Sequence, residues 1–294
     1  MVPTVPRRVR RAVRVSAVIA ASLILVGATY QGVATSLERH RFLRPGGLVD
    51  GGGYNLHIYC LGKGAPTVIL EAGAGAISSA WGLVQPRIAQ SSRVCSYDRS
   101  GLGWSEGDGR YVPARVVDSL RTLLREANEP GPFVVVGQEL GAAFARLFAA
   151  RDSARVVALV LIDDPLGSQT ASSQRRMVAA WPWLARVGIL RVMGGLSVRA
   201  NQLPGESGDA VRAFLNRPDH LTQAAREIAR ASEVVASARA VHLDPSVQVA
   251  LITSGNSEQP AMIVTPEEAG AVAGAIEETV ARVRASRTGV KEEP

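Results

Sequence analysis

The sequence predicts an α/β fold: a doubly wound, mostly parallel sheet with an inserted helical cap, preceded by a membrane-spanning helix. Three observations predict it. Short apolar runs alternate with helix-like segments between residues 54 and 162, the order that builds parallel sheets. Residues 165–243 then become helical and Arg-rich, without strand signals, as a cap would. Finally, Val15–Ala34 carries no charge, and its twenty helical residues reach across about 30 Å of hydrocarbon.

Composition agrees with a packed chain. The 294 residues are 47% hydrophobic and 20% charged, which excludes a disordered, collagen-like or coiled-coil protein. Two cysteines cannot build a disulfide scaffold or a zinc ribbon. The net charge is +7, and all 33 basic residues except Lys63 and Lys291 are Arg. Outside the N-terminal cluster many of them are scattered singly along helices, and no dense basic stripe interleaved with aromatics occurs, so nucleic acid is not a predicted partner.

Residues 1–14 read as a basic tail, with Arg7, Arg8, Arg10, Arg11 and Arg14, and residues 15–36 as a transmembrane signal anchor. Three basic residues follow it: Arg39, Arg41 and Arg44. The excess before the span predicts a cytoplasmic N-terminus and an extracytoplasmic domain over 45–288. Two alternatives stay open. Gly32-Val33-Ala34 offers a small-x-small cleavage site that would release a secreted domain, and the run could be a buried helix of a soluble protein.

Along the domain, Pro45–Gly53 reads as a Gly-rich hinge. Tyr54–Tyr59 alternates like a strand, and Thr67–Leu70 is a buried-type strand followed by the small-residue loop Glu71–Gly75. Ser79–Ala89 reads as a helix, Arg93–Tyr97 as a strand, and 98–112 as a Gly-rich loop. Pro113–Ala127 places Val116, Leu120, Leu123, Leu124 and Ala127 on one helical face. Phe133–Val136 is a strand, Glu139–Arg151 a helix and Val156–Ile162 a strand. After the cap, Val247–Thr253 returns to strand, and Ala261–Val264 offers one more. Thr265-Pro-Glu-Glu268 is a helix start, with an N-cap, proline at the first helical position and early acids; that helix runs to about Arg284.

Residues 62–164 resemble the core of an α/β-hydrolase-fold protein of the membrane-anchored bacterial kind. The segments that carry the resemblance are Pro66-Thr-Val-Ile-Leu-Glu-Ala-Gly-Ala-Gly75, Trp81, Arg93-Val-Cys-Ser-Tyr-Asp-Arg-Ser-Gly-Leu-Gly-Trp-Ser105 and Val135-Val-Gly-Gln-Glu-Leu-Gly141. In that family a strand ends in Gly-x-Ser-x-Gly, and the sharp turn into a helix presents the serine as nucleophile. Here the elbow is Gly137-Gln138-Glu139-Leu140-Gly141, with Glu139 in the nucleophile's place. A dinucleotide loop is excluded, because glycine would be needed where Glu139 stands. Neither a metal-ligand spacing nor a cofactor fingerprint is present.

The resemblance implies an oxyanion hole from the amides of Ala74 and Leu140. It also implies a base and an acid later in the chain. Of the four histidines (His40, His57, His220 and His242), none follows the last strand, where Ser254-Gly255-Asn256 holds an amide in the base's place. An amide is no base near neutral pH. His242 or His220 could serve as a relocated base, and Asp163 or Asp164, with Asp164 preferred, as a surviving acid; each also reads as an ordinary surface, core or strand-end residue. Asp98-Arg99 reads as a loop anchor, and Trp181-Pro-Trp183 as cap packing. Glu139 is expected to rest as an internal anion at the helix N-terminus. The resemblance also sets the strand of Cys60 beside that of Cys95, within disulfide reach if antiparallel, at Cα spacings of about 4.5–5.5 Å.

Two functions follow. One is a degenerate hydrolase that binds a small-molecule ligand or a protein partner. The other is an active hydrolase of esters, epoxides or haloalkanes, using Glu139 as a carboxylate nucleophile or relocated groups.

Overall fold

The computed structural model describes residues 6–167, 173–194, 196, 199–253 and 265–289. Among them, seven strands form one sheet: β1 (Gly47–Asp50), β2 (Asn55–Leu61), β3 (Thr67–Glu71), β4 (Val94–Tyr97), β5 (Phe133–Gln138), β6 (Val156–Ile162) and β7 (Gln248–Ile252). Their order is β1-β2-β4-β3-β5-β6-β7. The β1–β2 and β2–β4 pairs are antiparallel, and the other four pairs are parallel.

Alternation along the strands builds both faces. Val68, Leu70, Val134, Val136 and Val160 point to one side, where α2 (Gln85–Ile88) and α9 (Pro266–Gly289) supply Ile88, Ile276 and Val280. Ile69, Val135, Leu159 and Leu161 point to the other, against Leu123 and Leu124 of α3 (Pro113–Glu126) and Phe144 and Phe148 of α4 (Leu140–Arg151). Strands buried on both faces need such unbroken apolar runs. Burying each of these large side chains contributes about 1.5–3 kcal/mol.

The cap holds α5 (Ser173–Arg186), α6 (Ile189–Met193), α7 (Gly205–Phe214) and α8 (Pro218–Ala240). The end of α8 descends to the sheet side, where Val234 and Ala238 join the core with Phe144. The last helix starts with a reciprocal capping box: Thr265 N–H donates to Glu268 Oε2 (3.2 Å) and Glu268 N–H to Thr265 Oγ1 (3.1 Å).

Two local expectations change. The stretch 45–53 is more than a hinge, since Gly47–Asp50 pairs with β2 through a turn in which Asp50 Oδ1 accepts from the amides of Gly52 and Gly53. The expected helix Ser79–Ala89 is a 3-10 turn (Ser78–Trp81) followed by the short α2. Pro86 lacks the N–H that a continuous helix would need, and it sits in the first turn of α2 instead. The first helix, α1, runs Arg7–Arg41, beyond both ends of the uncharged run. Ala261–Val264 and Ser254–Asn256 lie outside the described residues.

Candidate active site

The elbow is built by β5 and α4. Glu139 stands between them at φ 48°, ψ −116°, a backbone conformation that costs a non-glycine residue roughly 1–3 kcal/mol. Its amide donates to the carbonyl of Ile162 at the end of β6 (2.9 Å). The two flanking glycines are required by space. A Cβ at Gly137 would lie 2.4 Å from the Gly141 carbonyl oxygen, and one at Gly141 would lie 2.4 Å from that of Glu71. Gln138 is buried at the strand end, and Leu140 opens α4. Glu139 stands at the N-terminus of α4, and its side chain does not act as an N-cap for the first turn. An N-cap folds back from an extended backbone, which this turn does not offer.

Across from the elbow, the loop after β3 is bound by a buried ionic cluster in which Arg99, an expected loop anchor, meets Glu71 and a partner the sequence does not single out, Glu227. Arg99 Nη1 lies 2.5 Å from Glu71 Oε1 and donates to the Ala72 carbonyl at 2.7 Å. Its Nη2 donates to the Gly73 carbonyl (2.7 Å) and to Glu227 Oε2 (2.8 Å). Glu227 comes from cap helix α8, and the same oxygen accepts from the Gly75 amide at 2.9 Å. Tyr97 donates its hydroxyl to Glu71. Burial pushes the Glu71 carboxyl above its usual range, against the pull of Arg99. Burial also pushes the Tyr97 phenol well up, with Glu71 adding to it. The loop that carries Ala74, an expected oxyanion donor, is therefore tied on both sides of that residue to charged groups. The available signal was Glu227 itself, a carboxylate among Ala224, Ile228 and Ala231 on an otherwise apolar stripe.

The histidines are dispersed. His40 lies at the end of α1. His57, fully buried on β2, has Nε2 on the Pro45 carbonyl and Nδ1 3.0 Å from Asp98 Oδ2. Ser78 Oγ lies 3.2 Å from that same Nδ1. A nucleophilic triad needs serine and carboxylate on opposite ring nitrogens, so Ser78, His57 and Asp98 do not form one. They form a loop anchor: Asp98 accepts from the amides of Ser78 (2.6 Å) and Trp104 (3.0 Å). Burial raises the Asp98 carboxyl, but His57 and these amides outweigh it and leave it below the ordinary value. His220, buried at the start of α8, accepts from the Gly103 amide at 3.2 Å, and burial lowers its pKa to about 4. His242 is exposed just beyond α8.

The two acids after β6 differ. Asp163 takes φ 51°, and its amide donates to Ile252 of β7 (2.9 Å). Asp164 is held by Arg146 of α4 (2.6 Å) and accepts from the Leu166 amide (3.2 Å). Between cap and core lies a cavity of about 60 Å³ lined by Ala74, Gly75, Ile77, Val211, Phe214 and His220 among others. It is mostly apolar, with one imidazole. Cys60 and Cys95 pair across β2 and β4 and are joined as a disulfide. Glu129 lies near the sulfurs but is taken by Arg93 Nε at 2.8 Å, so this group offers no free thiolate to a metal.

Comparisons with known proteins agree on the architecture. A family profile described as alpha/beta hydrolase fold matches residues 66–187. An uncharacterized protein of Schizosaccharomyces pombe is 31% identical over 118 residues, 38% of this chain and 22% of the relative. An uncharacterized vacuolar membrane protein of Saccharomyces cerevisiae is 32% identical over 129 residues, 37% of this chain and 20% of the relative. The chain thus spans about a fifth of the length of these two relatives. The crystal structure of an alpha/beta hydrolase fold protein from Burkholderia ambifaria superposes with a TM-score of 0.59 at 22% identity, covering 72% of this chain and 81% of that one. Together with the strand order, the crossover helices and the strained elbow after β5, these matches give the chain the α/β-hydrolase fold.

Proposed function

We propose that this protein is a membrane-anchored, extracytoplasmic member of the α/β-hydrolase-fold superfamily that has lost hydrolysis and acts by binding a ligand or partner. The observation that carries the reading is Glu139 at the nucleophile's place on an otherwise intact elbow. Acyl transfer to serine needs an Oγ, a base and two amides aimed at a developing oxyanion. Here the first is replaced, and no histidine follows β7 in the chain. The loop expected to aim one of the amides is bound to Arg99 and Glu227. Anchoring is supported by the apolar run of α1 and by the excess of arginine before it. The Cys60–Cys95 bond suits an oxidising compartment.

A second reading rests on the same residue. Glu139 keeps the strained nucleophile backbone, which suits a carboxylate that attacks carbon to form an ester, expelling halide from a haloalkane or breaking the ring C–O bond of an epoxide whose alkoxide takes a proton from water. Hydrolysing that ester would then require a base. One experiment separates the two. The purified full chain is incubated with short-chain aryl esters, an epoxide and a haloalkane, and product and covalent adduct are followed by mass spectrometry. No turnover and no adduct on Glu139 supports the binding role. An adduct on Glu139 that is absent in Glu139→Gln replaces it with the carboxylate-nucleophile role.

A further inference from the structure

The helix α1 is docked to the cap, and the level of docking has a consequence for the membrane. A Cβ on Gly27 would sit 2.2 Å from the Val187 carbonyl oxygen, so the bare Gly27 lets the α5–α6 corner approach the helix backbone. On the cap side Gly188, at φ +72°, faces Gly27 and Tyr30. Around this contact Gln31 Nε2 donates to the Asn216 carbonyl (2.7 Å), and Arg191 Nε donates to Gln31 Oε1 (3.0 Å). Arg191 reaches on to pair with Glu38 (Nη2 to Oε2, 2.9 Å), and Arg39 pairs with Asp219.

Gly27 precedes Ala34, the end of the uncharged run, by seven residues. At 1.5 Å per residue the corner touches the helix about 10 Å inside that end. The ion pairs to Glu38 and Arg39 lie beyond it, on the water side. The corner's outward side chains match this depth: Trp183, Val192 and Met193 are 70%, 78% and 74% exposed, and Ile189 is exposed beside them. Among the described residues outside α1, half of the exposed large hydrophobic side chains fall within residues 183–193, so they form a patch rather than the usual scatter. Arg186 stacks over Trp183 with its guanidinium 4.7 Å from the ring, a pairing of amphipathic side chains suited to the headgroup level.

We propose that the α5–α6 corner of the cap is a second membrane contact. Trp183, Ile189, Val192 and Met193 enter the outer leaflet of the bilayer that α1 crosses, while Arg186 and Arg191 stay with the headgroups and Glu38. The inference rests on the anchor reading of α1. The occupant is lipid rather than another protein, because the patch lies on the corner whose Val187 and Gly188 meet Gly27 and Tyr30 inside the uncharged run of α1. The arrangement holds the cap against the bilayer through the α7–α8 corner, which also gives Phe214, Leu215 and His220 to the cavity.

The test uses the full chain reconstituted in phosphatidylcholine vesicles whose acyl chains are brominated just below the headgroup. Tryptophan emission is compared between wild type and Trp183→Phe. The component assigned to Trp183 is expected to lose more than half of its intensity in brominated vesicles. Val192→Asp with Met193→Asp, two exposed positions, should restore most of that intensity with near-UV circular dichroism unchanged. If the protein resists alkaline carbonate extraction and Trp183 is not quenched, the cap contact is wrong and the anchor stands. If carbonate extracts the full chain, the anchor reading is wrong and the cap contact falls with it.

Discussion

Arg99 and Glu227 join the cap to the core: the Arg99 Nη2 atom lies 2.8 Å from Glu227 Oε2, with both side chains buried. The same guanidinium holds Glu71 at 2.5 Å, so one positive charge lies between two buried carboxylates. Removing it leaves both without their counter-charge.

Arg99→Met is therefore expected to destabilise the domain by about 3–5 kcal/mol, the usual cost of breaking a buried pair on one side. For a domain of this size that lowers Tm by roughly 6–20 °C. The triple variant Glu71→Gln, Arg99→Met, Glu227→Gln removes the charges together and should recover most of the loss. Thermal unfolding followed by circular dichroism decides it. An Arg99→Met protein that melts with wild type would show that the cluster is not a clamp.

A pH dependence follows from His220. Its folded pKa of about 4 lies below the ordinary 6.5 because burial disfavours the imidazolium. Between these values the unfolded chain takes up a proton that the folded chain does not. Stability from this residue is thus complete above about pH 6.5 and falls as pH drops toward 4, by about 1.4 kcal/mol per unit. His220→Asn keeps an acceptor for the Gly103 amide and does not titrate. Urea unfolding at pH 7.5 and 5 should show a smaller difference for the variant. Equal slopes would mean that other groups set the acid sensitivity.

These residues also mark what the sequence could reveal. The strands β3, β5 and β6 are unbroken apolar runs, and the capping box of α9 is contiguous, so both were legible. The elbow was legible because Gly137 and Gly141 flank Glu139 at fixed spacing. The Arg99–Glu227 pair joins residues 128 apart, and Arg191 meets Glu38 across 153. No local periodicity encodes such meetings. β1 was missed because four residues next to glycines carry little strand signal, and its pairing with β2 supplies the order. The break after Trp81 was hidden because an apolar helical period continued across Gly82 and Pro86.

The disulfide gives a third test. Cys60 and Cys95 close a loop of 35 residues between strands that are already paired. In the chain-entropy picture such a link is worth about 2–4 kcal/mol. Cys60→Ala with Cys95→Ala should lower the free energy of unfolding, measured by urea titration, by that amount and leave the native circular dichroism intact. In unreduced wild type, denatured and treated with maleimide, no thiol should label. Labelling of two thiols in this unreduced, denatured protein would reject the bond.

The last prediction concerns Glu139→Ser. The substitution restores an Oγ on a turn that already has the nucleophile's backbone, at φ 48°, ψ −116°. It restores nothing else. No histidine follows β7 in the chain, and His57 and His220 are engaged with Pro45, Asp98 and Gly103. Asp164 is paired with Arg146. Members of a triad act as a unit, so adding one of them brings little of the rate. Glu139→Ser should show no steady turnover of aryl esters above background. A slow, stoichiometric acylation is the most that the amides of Leu140 and Ala74 could support, since an oxyanion hole and binding alone leave about 10³–10⁴-fold over water. Glu139→Gly is the control for the fold: glycine tolerates the positive φ, so the variant should be more stable than wild type by about 1 kcal/mol. Steady turnover by Glu139→Ser that survives His220→Asn and is lost in His242→Gln would identify His242 as a working base, and the degenerate reading would give way to an enzyme with a relocated histidine.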